Sequence, residues 1–145
     1  MLKKRVLVTG GAGFIGSHLV RRLVADRAEV VVIDDLSMGD ASKVDPGAQL
    51  MALDVRSMET SRVIKDFKPD VVFHLAAQIN LRRSLQQPLE DASINILGSV
   101  NVIQSLVESA EDISKVKFIF SSTGGAIYGD VDVLPTPETV EPNPL

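Results

Sequence analysis

The sequence predicts an α/β protein, a doubly wound parallel sheet of about five strands covered by helices on both faces. Three observations carry this. Short β-branched runs are apolar at successive positions, which suits strands buried on both sides. Longer segments with helical periodicity separate them. The first run ends in a glycine-rich turn that opens a helix.

The elements follow in order. Val6-Leu7-Val8 is the first strand. A helix from Ile15 to Ala25 places Ile15, Leu19, Leu23 and Val24 on one stripe and turns Arg21 and Arg22 away from it. Val30-Val31-Val32-Ile33 and Leu50-Met51-Ala52-Leu53 are the second and third strands. A helix from Ser57 to Phe67 turns Val63, Ile64 and Phe67 inward, and Lys68-Pro69-Asp70 stops it. Val71-Val72-Phe73 is the fourth strand. One long helix from Leu89 to Ala110 follows, apolar at Ile94, Leu97, Val100, Ile103, Leu106 and Val107, and Phe118-Ile119-Phe120 is the fifth strand. Strands alternating with helices imply right-handed crossovers, and the expected strand order is 3-2-1-4-5. From Asp130 onward, Pro135, Pro137, Pro142 and Pro144 exclude a helix or central strand and predict a loop.

Composition narrows the function classes. The 145 residues suit a single domain, and 45% apolar with 23% charged residues is ordinary globular usage. Nineteen acidic against fifteen basic residues give a net charge of −4, which supplies no electrostatic footprint for nucleic acid. The absence of cysteine excludes a disulfide scaffold, thiolate metal sites and a thiol nucleophile. No apolar run has the length of a membrane span, and Lys3-Lys4-Arg5 leads straight into a strand rather than a signal-peptide core. The expectation is a cytoplasmic domain with no metal site, no membrane contact and no nucleic-acid partner.

The chemistry begins at Thr9-Gly10-Gly11-Ala12-Gly13-Phe14-Ile15-Gly16, which fits G-x-G-x-x-G from Gly11 or G-x-x-G-x-x-G from Gly10. In either register one glycine makes the tight turn, one lets the backbone approach a pyrophosphate, and the last lets helix and strand pack closely. The helix start then aims free N–H groups and a positive dipole end at the phosphates. The setting between a strand and a helix is the Rossmann-type context that the motif needs. About twenty residues on, Asp34 ends the second strand with Asp35 beside it. Asp34 is placed to accept hydrogen bonds from the adenine ribose hydroxyls, and its charge disfavours an added 2′-phosphate, so NAD is expected over NADP. Turn formation alone accounts for one of these two Asp residues and poorly for the placement of both. Asp54, ending the third strand, is a candidate for the adenine edge or for capping the helix that follows.

Six stretches then carry a resemblance. They are Val8 to His18, Asp34 to Gly39, Asp54-Val55-Arg56, Pro69 to Gln78, Asn95-Ile96-Leu97-Gly98 and Phe120 to Gly129. Together they resemble the extended short-chain dehydrogenase/reductase enzymes that act on nucleotide sugars, the NAD-dependent epimerases and dehydratases, and most closely the 4-epimerase branch that interconverts UDP-glucose and UDP-galactose. The resemblance implies that Gly10, Gly13 and Gly16 form the phosphate loop and that Phe14 and Ile15 meet the pyrophosphate through backbone N–H groups. It implies that Asp34, Asp35, Leu36, Ser37 and Gly39 hold the adenosine ribose, and Asp54 with Val55 the adenine. Leu75, Ala76 and Ala77 are expected to line the nicotinamide half. Asn95 is expected either to steady the loop after the fourth strand beside the cofactor or to serve the packing of its helix. Ser121-Ser122-Thr123 ends the fifth strand, where an open α/β sheet presents its crevice. The family carries a Ser or Thr there that contacts the reacting sugar hydroxyl; Thr123 is the first choice and Ser122 the alternative. His18 and His74 stand apart from other candidate ligands and read as structural or supporting residues.

The family's base is a tyrosine followed four residues later by a lysine, a spacing that puts both on one helix face. The only tyrosine here is Tyr128, with Asp132 four positions on. The resemblance therefore implies that residues 1–145 form the N-terminal portion of the NAD-binding domain, that the Tyr-x-x-x-Lys helix and substrate region lie outside it, and that the portion is inactive alone. It implies a UDP-hexose substrate and a homodimer for the whole enzyme, and self-association by an altered route for this portion through apolar surface near Leu89–Ala110 and the fifth strand. A 4,6-dehydratase, a decarboxylase and a non-catalytic NAD-binding module are the alternatives. Gly124 and Gly125, where dehydratases need acidic residues, favour the epimerase.

Overall fold

The computed structural model describes residues 3–123 and 127–144. Its sheet comprises β1 (Arg5–Thr9), β2 (Glu29–Asp34), β3 (Gln49–Ala52), β4 (Val71–His74) and β5 (Lys117–Phe120), all parallel, in the order β3-β2-β1-β4-β5. This is the expected doubly wound topology. Side-chain alternation along the strands divides the core between the two faces. Val6, Val8, Val30 and Val32 pack with Val20 of α1 (Phe14–Ala25). On the opposite face, Leu7, Val31, Ile33 and Val72 pack with Ile64 of α2 (Met58–Phe67) and with Val102 and Leu106 further along the chain.

The α1 stripe differs from expectation at its start. Ile15 is 65% exposed, whereas Gly16, Ser17 and Val20 are buried. A glycine rather than the large apolar side chain faces inward there, because the first turn passes too close to the β1 turn for any Cβ. Helix α2 starts where expected, capped by the Ser57 hydroxyl, which accepts from Thr60 N–H at 3.1 Å.

The long helix expected from Leu89 to Ala110 is present as an unbroken helical run from Pro88 to Ser109, which widens into a π-helical turn partway along. Helix α3 (Leu81–Gln86), unforeseen in the sequence, leads through Gln87 to α4 (Pro88–Ala92), a π-helical segment (Ser93–Leu97) and α5 (Gly98–Ser109). Pro88 at the first helical position fixes the start of α4. Apolar residues on α5 also divide into two sets: Val102 and Leu106 are buried, while Val100, Ile103 and Val107 face outward. The proline-rich segment after Asp130 holds no regular element among its described residues, as predicted.

Candidate functional site

The connections of β1 and β4 leave the sheet side by side at its C-terminal edge, where an open α/β sheet forms its crevice. The β1 turn is held from below by Gly10 N–H donating to the Ile33 carbonyl at 2.8 Å. Gly10 adopts φ +71°, and a Cβ there would sit 2.7 Å from Ala76 N and 2.8 Å from the Leu75 carbonyl carbon. Gly16 is tighter: its Cβ would collide with the Gly10 carbonyl oxygen and lie 2.7 Å from Gly11 Cα. Glycine is therefore required by close approach of backbone to backbone at both positions.

The α1 N-terminus opens onto this turn. Gly13 is the N-cap and supplies no side chain, so the first-turn N–H groups must find other acceptors. Among the described residues, the N–H groups of Phe14 and Ile15 have no protein acceptor, and both side chains are exposed. A Cβ at Gly13 would meet only the Gly10 carbonyl oxygen, at 3.3 Å. The result is a cradle of bare backbone with donors pointing outward, a geometry suited to an anionic group.

Asp34 closes the other side. It is 7% exposed, and its carboxylate accepts from Ala12 N–H and Leu36 N–H, each at 2.9 Å. Asp40 N–H donates to the Ala12 carbonyl at 3.1 Å, so the loop after β2 is fastened across the glycine turn at both polar groups of one residue. Gly39 packs on this carboxylate, since a Cβ there would lie 2.6 Å from Asp34 Oδ1. Leu36 takes φ +60° to make the turn. Asp35 points outward and accepts from the Ser37 N–H and hydroxyl at 2.9 and 2.6 Å. Both acids thus accept the N–H two residues on, as in an Asx turn, and Asp34 alone also reaches Ala12 and so ties the loop to the phosphate-type cradle.

Asp54 does not cap α2; Ser57 does. Arg56 grips the Asp54 carboxylate through Nε and Nη2, and Arg56 N–H donates to Oδ1 at 2.7 Å. These contacts hold the Asp54 carboxyl below the usual carboxylate range, with the Arg56 side chain the largest cause. Arg56 also donates to Ser93 Oγ at 3.2 Å, and Asn101 Nδ2 donates to the Val55 carbonyl at 2.7 Å. Sequence reasoning missed both residues. The Asp-x-Arg spacing was the available signal for the first; nothing local marked Asn101, whose contact crosses from α5.

Leu75, Ala76 and Ala77 leave the end of β4 and run past the glycine turn. Asn95, in the π-helical segment, fastens the continuation of that strand: Gln78 N–H donates to its Oδ1 at 2.8 Å, and its Nδ2 donates to the Gln78 carbonyl at 3.1 Å. Thr123 and Ser122 lie exposed beyond β5, and the Thr123 carbonyl accepts from Ile127 N–H at 3.2 Å. Gly124 and Gly125 lie outside the described residues. His18 is exposed and packs edge-on against Phe14 with ring centroids 5.4 Å apart. No group of three or more potential metal ligands occurs among the described residues.

Comparison with known proteins follows the same outline. The profile of the NAD dependent epimerase/dehydratase family matches residues 6–145. A putative UDP-glucose 4-epimerase of Methanocaldococcus jannaschii is 40% identical over 140 residues, covering 97% of this chain and 45% of that protein. The crystal structure of a Thermotoga maritima UDP-glucose 4-epimerase with UDP-glucose superimposes with a TM-score of 0.86 at 43% identity, over 97% of this chain and 45% of that one. A Thermus thermophilus UDP-glucose 4-epimerase in complex with NAD gives 0.84 at 41% identity, over 97% and 44%. The chain thus spans a little under half the length of the relatives it matches.

Proposed function

From the premise that the chain belongs to the NAD-dependent epimerase/dehydratase family, we propose that it is the NAD-binding part of a nucleotide-sugar 4-epimerase that interconverts UDP-glucose and UDP-galactose. The observation that carries this is the cradle at the start of α1, where the Phe14 and Ile15 N–H groups have no acceptor among the described residues and stand beside a fastened Asp34. The residues fit the cofactor's parts. Gly13 leaves bare backbone open to the pyrophosphate, while Gly10 and Gly16 let the turn, the β4 connection and the helix start close up behind it. Asp34 retains acceptor capacity beyond its two backbone bonds, since an ionised carboxylate offers about four lone-pair sites; those remaining serve the ribose hydroxyls, with Asp35, Leu36, Ser37 and Gly39 shaping the loop. Asp54, oriented by Arg56, and Val55 take the adenine. Leu75, Ala76 and Ala77 flank the nicotinamide half, with Asn95 holding their continuation.

Bound NAD supplies a hydride acceptor and donor for the sugar carbon. The chain's residues bind and orient: Thr123, with Ser122 as its neighbour, contacts the reacting sugar hydroxyl at the C-terminal edge of β5. The proton acceptor of the family, a tyrosine with a lysine four residues on, has no counterpart in residues 1–145. This polypeptide is therefore expected to bind NAD and not to turn over UDP-galactose. For the whole protein the proposal includes a UDP-hexose substrate, a cytoplasmic location and a homodimer. The outward apolar face of α5 supports self-association, including by an altered route in this polypeptide. No helix among the described residues is long and apolar enough to cross a membrane.

The test is calorimetric titration of the purified 145-residue protein with NAD and NADP. Binding of NAD with weaker binding of NADP is expected. No binding, or a preference for NADP, overturns the assignment. Turnover of UDP-galactose by protein free of host enzyme overturns the catalytic division.

A further inference from the structure

His74 is buried at the end of β4 and makes two side-chain hydrogen bonds. Its Nδ1 lies 2.8 Å from Thr9 Oγ1, and its Nε2 lies 2.9 Å from Ser99 Oγ. The proton count at its neighbours fixes the tautomer. Ser99 Oγ donates its one proton to the Asn95 carbonyl at 2.7 Å, so toward His74 it accepts, and Nε2 must carry a hydrogen. Thr9 Oγ1 accepts from Ala76 N–H at 3.3 Å and keeps its own proton for Nδ1, which must be bare. A chain of hydrogen bonds with a single direction results, from Ala76 N–H through Thr9, His74 and Ser99 to the Asn95 carbonyl. The ring also stacks with Phe118 and Phe120, each with its centroid 5.8 Å away and its plane within 27° of the imidazole. Burial disfavours the imidazolium and lowers the His74 pKa, in keeping with the neutral ring.

The ends of this chain are the parts of the crevice that must be registered against each other. Ala76 lies in the segment whose backbone touches Gly10, and Asn95 holds Gln78 by both its backbone groups. We infer that His74 is a positioning residue, fixed as the neutral Nε2–H tautomer, that registers the Leu75–Gln78 segment against the glycine turn and thereby sets cofactor affinity. It touches no reacting atom. The effect on affinity rests on the assignment of this crevice to NAD; the tautomer and the chain of bonds do not.

Two measurements separate these parts. The first is a long-range nitrogen–proton NMR spectrum of the ¹⁵N-labelled protein without ligand at neutral pH. A protonated Nε2 and bare Nδ1 on His74, with slow exchange at Ala76 N–H, are expected. A protonated Nδ1, or a doubly protonated ring, overturns the inference whatever binds in the crevice. The second compares His74→Phe, which keeps the ring stack but removes both bonds, with His74→Gln, which retains one acceptor and one donor. NAD affinity should fall about tenfold in His74→Phe and be substantially restored in His74→Gln. Wild-type affinity in His74→Phe overturns the positioning role. Equal losses in both variants, tracking only their thermal stability, reduce His74 to a packing residue and overturn it too. Failure of the wild-type protein to bind NAD while the expected tautomer is seen refutes the assignment of the crevice and the affinity claim together, and leaves the bond chain standing.

Discussion

Gly16→Ala sets helix propensity against backbone clearance at one atom. Alanine inside a helix is favoured over glycine by about 1 kcal/mol, so propensity alone predicts a more stable protein. The new Cβ, however, would collide with the Gly10 carbonyl oxygen and stand 2.7 Å from Gly11 Cα and 2.9 Å from the Gly10 carbonyl carbon. Carbon atoms rest about 3.5–4.0 Å apart, so the turn and the helix start must separate by about 1 Å. Overpacking of this kind costs about 1–3 kcal/mol. The Gly10 carbonyl also accepts from Gly13 N–H at 3.2 Å, and loosening that bond adds about 1 kcal/mol. The balance is a net loss of about 1–3 kcal/mol, or about 3–9 °C in melting temperature for a domain of this size. Gly98→Ala is the comparison, because its Cβ would meet a buried side-chain atom, Val55 Cγ2 at 2.7 Å, rather than backbone. Overpacking of about 1–3 kcal/mol, offset by about 1 kcal/mol of helix propensity, leaves an expected loss of about 0–2 kcal/mol, smaller than at Gly16 because no backbone bond is loosened. Urea unfolding followed by circular dichroism, with NAD titration alongside, reads both. A Gly16→Ala protein as stable as wild type and with unchanged NAD affinity would refute the reasoning.

Further predictions concern charge, pH and backbone strain. Asp34→Asn keeps one acceptor oxygen for two backbone donors, so it should lose about 1–3 kcal/mol of stability and narrow the preference for NAD over NADP, measured by urea unfolding and calorimetry. His74 has a folded-state pKa lowered from 6.5 by burial, so below pH 6.5 the unfolded chain takes up a proton that the folded chain refuses. Its contribution to stability is full above pH 6.5 and falls as pH drops toward the lowered value; His74→Phe should flatten that part of a urea-midpoint series kept above about pH 5, clear of ordinary carboxylate titration. Lys68 ends α2 in the left-handed region at φ 48°, with its N–H bonded to the Ile64 carbonyl. Lys68→Gly should relieve that strain and stabilise by about 0.5–1 kcal/mol, read as a higher urea midpoint.

The strands were legible because Val30 to Ile33 and its counterparts are short, largely β-branched or aromatic, and apolar on successive residues between turn signals. Only β1 and β2 are buried along nearly their whole length, and Ile119 and Phe120 of β5 are exposed. The helices were legible only where one face was buried. Helix α3 carries Leu81 and Leu85 to the surface, so its apolar residues announce no interior face. The π-helical segment was invisible for a different reason: widening one turn leaves the composition unchanged, and the Asn95 contacts that accompany it reach seventeen residues back to Gln78. The ambiguity at Asp54 was resolved by a competition that sequence alone could not decide. Ser57 stands nearer the helix start and takes the cap, while the guanidinium two positions after Asp54 claims the carboxylate.

The topology explains why the crevice depends on so many small residues. Chain order reverses at β1, with β2 on one side and β4 on the other, so the turns leaving β1 and β4 rise together at the sheet's edge. Strands stand about 4.8 Å apart, and two turns at that spacing can coexist only if one presents bare backbone to the other. Gly10 does so against Leu75 and Ala76, and Gly16 repeats the arrangement between the β1 turn and its own helix. The same closeness places Thr9 within reach of both His74 and Ala76, so the polar chain and the glycine contacts are two consequences of one strand spacing. A side chain added at Gly10 should therefore disturb the His74 bonds as well as the phosphate cradle. Helix α1, fixed through Val20 on the opposite face of the sheet, should hold its place.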